Sequence, residues 1–264
     1  GLHYGSSCFE GIRIYDGKIF KNLEHATRLC DSAASLELTH FKFKPKEIAE
    51  ICLEVCKRNH ISNGYIRPIV FRGSDQMQVG THHTAVNFAV AAWHWPNYSE
   101  EKQMHGTNLV VGKYKRPSPE PGPVFAKVGG LYVSSTLVKN DATALGFDDA
   151  IMLDWRDFIA ESSTSNVFFA KEEEIHTPIP DCFLNGITRQ TVIEIAKNMG
   201  IKVIERHIKL ADLKDYTDGF TTGSAAEVCK ISSVTTRDLK QKYEFKENTI
   251  SSTMLKEYQK LVKD

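Results

Sequence analysis

Helix-spaced and strand-spaced apolar patterns are interleaved through both halves of this 264-residue chain, and that interleaving restricts it to a mixed fold. Ile48, Ile51, Cys52, Val55 and Cys56 recur at helical spacing after Pro45, so residues 45 to 59 read as an amphipathic helix. Strand patterns follow at Gly64 to Phe71, Val86 to Trp93 and Asn108 to Val111. The first of these alternates Tyr65, Arg67, Ile69 and Phe71 on one face, and Pro68 within it predicts an edge strand or a bulge. Leu131 to Leu145, stopped by Gly146, and Thr188 to Met199, capped by Gly200, read as helices. Asp149 to Asp154 and Asn166 to Ala170 read as strands flanking a short hairpin. Lys202 to Ile208 and Gly219 to Thr222 are further strands, and Thr253 to Val262 is a closing helix. The polar stretch around Pro96 to Gln103 is the candidate linker. The pattern therefore predicts an α/β or α+β protein of two domains.

The longest apolar runs, such as Phe88 to Trp93, fall far short of the roughly 20 residues that cross a bilayer, so a soluble protein is expected. Thirty-three basic residues cancel thirty-three acidic ones, which leaves no long-range field to attract nucleic acid or an anionic membrane. Small molecules and other protein chains are the expected partners. Six scattered cysteines and the lack of a leader pattern point to a reducing cytoplasm. The chain opens at Gly1 rather than Met, as a fragment would. Cys52, Cys56 and His60 share one helical face, but Ile48, Ile51 and Val55 share it too. Buried core thiols are thus the ordinary reading, and no metal site is expected.

One lysine stands apart from the rest. Lys127 sits in Phe125-Ala126-Lys127-Val128-Gly129-Gly130, an apolar and glycine-rich setting. A desolvated amine there loses basicity and becomes a nucleophile toward an aldehyde, and the glycines permit close backbone approach to a flat ring.

Several motifs in order then carry a resemblance. They are His3-Tyr4-Gly5, Phe9-Glu10-Gly11-Ile12-Arg13, His25-Ala26-Thr27-Arg28-Leu29 and Tyr65-Ile66-Arg67-Pro68 in the first half. In the second half come Ala126-Lys127-Val128-Gly129-Gly130-Leu131-Tyr132, Glu161 to Asn166, Gly186-Ile187-Thr188-Arg189 and Thr222-Gly223-Ser224-Ala225-Ala226-Glu227. Across nearly its whole length the chain resembles the branched-chain aminotransferases, pyridoxal-phosphate (PLP) enzymes of fold type IV, the fold shared with D-amino acid aminotransferases. The resemblance implies a small N-terminal α/β domain over residues 1–95 lacking its first strands, a linker over 96–103, and a large cofactor-binding domain over 104–264. It also implies an active site between the domains, completed by a loop of a second subunit, and hence at least a homodimer.

The resemblance assigns roles that the residue types can fill. Lys127 would carry pyridoxal 5'-phosphate as a Schiff base, with Tyr132 bonding the cofactor's phenolic oxygen. Glu161 would keep the pyridine nitrogen protonated, with Asn166 in the same loop. The phosphate would meet Arg28, a planar fork suited to anions, the helix start at Ile187 and Thr188, and the hydroxyls of Thr222 and Ser224. Tyr4, Phe9, Tyr98 and Tyr132 would wall the pocket for a Leu, Ile or Val side chain, and Tyr65 and Ala225 would take the α-carboxylate. Arg67 shares a strand face with Tyr65 and so would reach the distal carboxylate of glutamate. The chain departs from the family's pattern at Met77-Gln78-Val79, where a glycine usually stands between apolar residues, so Gln78 and Val79 would tune substrate choice. The implied reaction is ping-pong transamination between a branched-chain L-amino acid and 2-oxoglutarate. Aminodeoxychorismate lyases and D-amino acid transaminases share the fold, and a non-catalytic PLP-binding protein is the remaining alternative.

Overall fold

The computed structural model describes residues 1–80, 83–96, 103 and 105–263. Its contacts gather into two compact units, one of Gly1–Asn97 with Gly122–Val133 and one of Tyr98–Pro121 with Ser134–Asp264. The segment 122–133, which the sequence reading leaves with the large domain, thus packs with the first unit.

The first unit holds a five-stranded sheet of β1 (Ser7–Phe9), β2 (Ile12–Tyr15), β3 (Lys18–Ile19), β4 (Gly64–Arg72) and β5 (Val86–His94). Contrary to the expectation of an edge, β4 is central. β5 pairs along its whole length, and β1 and β2 share its opposite side. The carbonyl of Pro68 accepts from Glu10 N at 2.9 Å. In an antiparallel strand a residue's N and O point the same way, so the missing N–H of Pro68 falls in the gap between β1 and β2 and costs no ladder bond. Helices α1 (Asn22–Ser35) and α2 (Pro45–Arg58) cover the sheet. α2 starts where expected because Pro45 presets the first turn and Glu47 accepts from Lys44 N at 2.7 Å. The core joins Ile12, Ile14, Leu29, Ile48, Ile66 and Val70 to Cys52 and Cys56, whereas His60 is exposed. Burial pushes the Cys52 thiol up to about 12, with Cys56 and Glu10 adding to it.

The second unit is built on a ten-stranded sheet. Its strands are β6 (Thr107–Val111), β7 (Asp149–Leu153), β8 (Phe158–Ser162), β9 (Asn166–Lys171), β10 (Glu174–Thr177), β11 (Lys202–Glu205), β12 (Ile208–Lys209), β13 (Asp218–Gly223), β14 (Glu227–Thr235) and β15 (Lys242–Glu244). The helices α3 (Tyr132–Ala144), α4 (Ile187–Asn198) and α5 (Thr249–Lys263) accompany it. Gly146 at φ +84° and Gly200 at φ +77° stop α3 and α4 as the sequence predicts. The expected strand 202–208 divides into β11 and β12, which pair with β10 and β8 respectively. β8 and β14 are absent from the sequence reading. Both lie among buried residues on two faces, which erases the alternation that marks a half-exposed strand. Among the described residues no helix is long and apolar enough to cross a membrane.

Candidate active site

In the first unit the backbone of Lys127 is fixed on two sides. Its carbonyl accepts from Phe9 N at 3.2 Å, its N–H donates to Ser32 Oγ at 3.0 Å, and Val128 bridges to Cys8 on β1. The glycines of this segment serve its own chain: a Cβ on Gly129 would strike Ser7 Oγ, and Gly130 lies against Gly5, which has φ +64°. The side chain then runs into an aromatic setting. Lys127 Nζ is 2.7 Å from the Tyr132 hydroxyl and about 5 Å from the Phe9 and Tyr132 ring centres, and those two rings meet edge to face at 4.9 Å.

Arg67 extends this cluster from β4. Its guanidinium carbon lies 4.6 Å from the Phe9 ring centre and 5.6 Å from that of Tyr65, and its Nε is buried without a hydrogen-bond partner. Sequence reasoning places Phe9, Tyr65, Arg67, Lys127 and Tyr132 at one site, and the first unit brings all five together. Gly11 is required beside them, since a Cβ there would overlap the Tyr65 hydroxyl.

Arg28 lies on α1 and turns inward. Its Nε and Nη2 donate to the two oxygens of Glu10 at 2.6 and 2.8 Å, and His25 Nδ1 lies 2.7 Å from Glu10 Oε2. Glu10 is fully buried. Burial alone would raise its carboxyl, but Arg28 and His25 outweigh that and hold it well below the usual carboxylate range. Desolvation in turn lowers His25, more than Glu10 raises it, which favours the neutral imidazole. Arg28 Nη1 is left buried without a partner, a cationic donor already oriented by its counter-ion.

The second unit supplies a different set. Glu161, on β8, is buried, and its Oε1 pairs with Arg116 at 2.8 Å while Oε2 lies 3.4 Å from Asn166 Nδ2. Asn166 Oδ1 accepts from Gly186 N at 3.1 Å and Nδ2 donates to Leu184 O at 3.0 Å, so this one side chain sets the start of α4. No side chain caps that helix, so the first-turn amides around Ile187 and Thr188 are available to an anion. The sheet register pairs Asn166 with Thr222, whose hydroxyl is buried without a partner, as is that of Ser163. Ser224 and Ala225 occupy the half-buried turn from β13 to β14. Orphaned hydroxyls, an uncapped helix start and an arginine with one spare nitrogen are the kinds of donor that a phosphate ester requires, so the residues fit the cofactor implied by the resemblance.

Other expected residues stand apart. Tyr4 is 53% exposed and its ring neighbours His3, and Val79 is 79% exposed beside Gln78 in an exposed loop. Tyr98 lies outside the described residues. Two residues with evident work escape the motif-based role assignment, namely Glu10 and Arg116. A carboxylate between Phe9 and Ile12 in an apolar strand context signals a buried acid that needs a counter-ion, which was the available clue to Glu10. Arg116 sits at the start of a proline-rich loop and carries no comparable signal.

A family model described as Amino-transferase class IV matches residues 7–234. A probable branched-chain-amino-acid aminotransferase of Rickettsia felis is 40% identical over 264 residues, covering all of this chain and 89% of that protein. The branched-chain-amino-acid aminotransferase of Escherichia coli K12 is 35% identical over 242 residues, covering 88% of this chain and 77% of that one. Among solved structures, the T.th. branched-chain amino acid aminotransferase with pyridoxamine 5'-phosphate superposes with a TM-score of 0.92 at 34% identity, covering 99% of this chain and 86% of that one. An Escherichia coli branched-chain aminotransferase superposes with a TM-score of 0.89 at 32% identity, covering 99% and 87%. Pyridoxal phosphate is the cofactor of such enzymes and of this one. The chain belongs to the class IV aminotransferases and, among them, to the branched-chain-amino-acid aminotransferases.

Proposed function

We propose that this aminotransferase exchanges the amino group between leucine, isoleucine or valine and 2-oxoglutarate, in two half-reactions at one site. The observation that carries the reading is the placement of Lys127 Nζ against the Tyr132 hydroxyl, with Phe9 and then Arg67 stacked beyond it. Pyridoxal phosphate supplies an aldehyde for amine exchange and an electron sink for the carbanion at the substrate's α-carbon. The residues do the rest. Lys127 would hold the cofactor through Nζ, and its free amine would carry a proton to and from the substrate's α-carbon. Tyr132 keeps that amine oriented. Glu161, with Asn166 steadying it, faces the ring nitrogen as a carboxylate. Arg28, the first turn of α4 at Ile187 and Thr188, Thr222 and Ser224 bind the phosphate.

Phe9, with Tyr4, Tyr98 and Tyr132, offers an apolar wall to the branched side chain, while Tyr65 and Ala225 take the α-carboxylate. Arg67 distinguishes the two substrates. Its spare Nε and its place over Phe9 let it pair with the distal carboxylate of glutamate and lie flat on the ring when leucine is bound. Gln78 and Val79 adjust this choice. We further propose a homodimer in a reducing cytoplasm, the latter because its six cysteines are scattered through a mid-sized chain and not clustered as a disulfide framework.

The test is a screen of amino acids against the PLP form, read by loss of its visible absorbance, on the wild type and on Arg67→Leu. Leucine, isoleucine, valine and glutamate should all react with the wild type. In steady-state turnover the variant should lose about ten- to a hundred-fold in kcat/KM for 2-oxoglutarate, the worth of a charged hydrogen bond at ~1.5–3 kcal/mol, and far less for leucine. Equal losses for both substrates would remove Arg67 from this role.

A further inference from the structure

The second unit holds an arginine that none of the cofactor motifs contains. Arg116 Nη2 lies 2.8 Å from Glu161 Oε1 and 3.0 Å from Ser135 Oγ, and the side chains of Arg116 and Glu161 are each 8% exposed. Its backbone is fixed as well, since Arg116 N donates to Leu153 O at 2.8 Å and the residue bridges to Asp154. The guanidinium is therefore anchored at both ends of the side chain. A buried ion pair is weak support for stability, because desolvating two charges offsets most of their attraction. An arginine kept here at that cost points to work done on Glu161.

The electrostatics say what that work is. A cation in contact with a carboxylate favours its charged form. With Arg116 on Oε1, the carboxylate presents Oε2, whose contact to Asn166 is long at 3.4 Å and leaves it able to accept a second donor. A fixed positive charge touching the carboxylate acts more strongly on it than on a group bound beyond it. In a contest for one proton, it therefore favours the proton on that group.

We propose that Arg116 is a positioning residue which, steadied by Ser135, holds Glu161 ionised and turned toward the cofactor's ring nitrogen, so that the shared proton stays on the nitrogen. The proposal rests on the reading that Glu161 faces that nitrogen.

The experiment is nitrogen-15 NMR of the holoenzyme loaded with PLP labelled at the ring nitrogen, whose resonance separates pyridinium from neutral pyridine. The wild type should show pyridinium. Arg116→Met and Arg116→Gln should both move the resonance toward neutral pyridine, and Arg116→Lys should keep it near the wild-type position. The glutamine variant is neutral but still polar, so it decides the matter if the methionine variant fails to fold. A wild-type pyridinium signal in Arg116→Gln overturns the proposal, as does an Arg116→Lys signal shifted as far as that of the neutral variants. Glu161→Gln separates the two readings. If it loses pyridinium while Arg116→Gln keeps it, only the role of Arg116 fails; if it too keeps pyridinium, the reading of Glu161 fails with it.

Discussion

The two units prepare their buried hydrogen-bond donors in opposite ways. In the first, Arg28 is a charged donor whose direction is fixed by a buried counter-ion, Glu10, that takes two of its three nitrogens. In the second, Thr222, Ser163 and the start of α4 are neutral donors, positioned by sheet register and by Asn166 rather than by charge. A charged donor needs its own fixed partner to be pre-oriented, whereas a donor carried on regular backbone structure is oriented by the fold. Losses should therefore be steep and cooperative in the first unit and shallow in the second, except at Glu161, where the second unit also uses a charge pair.

The sharpest break is expected at Glu10. Glu10→Gln leaves Arg28 as a buried cation without its carboxylate, and breaking such a pair costs about 3–5 kcal/mol. The sign with pH follows from the depressed carboxyl. In the unfolded chain it titrates near 4.5 and in the folded chain well below that. Its contribution is complete above that ordinary value and drains away as the pH falls toward the folded one. Denaturant titrations should show the largest gap between wild type and variant at neutral pH, narrowing in acid. A gap that is constant with pH would mean Glu10 acts by shape alone.

Next in size, Glu161→Gln should retain PLP yet transaminate about a hundredfold more slowly, since an amide does not hold the ring nitrogen protonated as a carboxylate does. Wild-type turnover with full cofactor content would take Glu161 out of the site. Arg28→Met should then weaken PLP binding by about ten- to a hundredfold, the worth of one charge-assisted hydrogen bond. Equilibrium dialysis of the apoenzyme measures it. The smallest effect is expected at Thr222→Val, about two- to tenfold in the same measurement, because a single neutral hydroxyl is lost and the α4 amides remain. A Thr222→Val loss as large as that of Arg28→Met would erase the contrast between the units.

What the sequence reveals divides along similar lines. α2, α3 and α4 are legible because Pro45, Gly146 and Gly200 punctuate helical spacing that local physics enforces. β8 and β14 are not, because strands buried on both faces lose their alternation. Central β4 is mistaken for an edge because Pro68 signals a missing donor, and only the tertiary gap between β1 and β2 shows why that donor is not needed. Among the candidate site residues, Lys127, Arg28 and Thr222 are named through motifs that carry their neighbours with them. Glu10 and Arg116 are not, since their partners lie 18 and 45 residues away in the chain and only folding brings them within hydrogen-bond distance. The apolar setting of Glu10 hints at a buried acid, but no local pattern names the partner of either residue.

On the function proposed above, Lys127 Nζ is the atom that holds the cofactor. Borohydride reduction of the holoenzyme followed by peptide mapping tests it directly, because only an imine is reduced to a stable link. The cofactor mass should be recovered on the peptide containing Lys127 and be absent from Lys127→Ala treated in the same way. Label on another lysine of the wild type, or none at all, would rule out Lys127 as the residue that holds the cofactor.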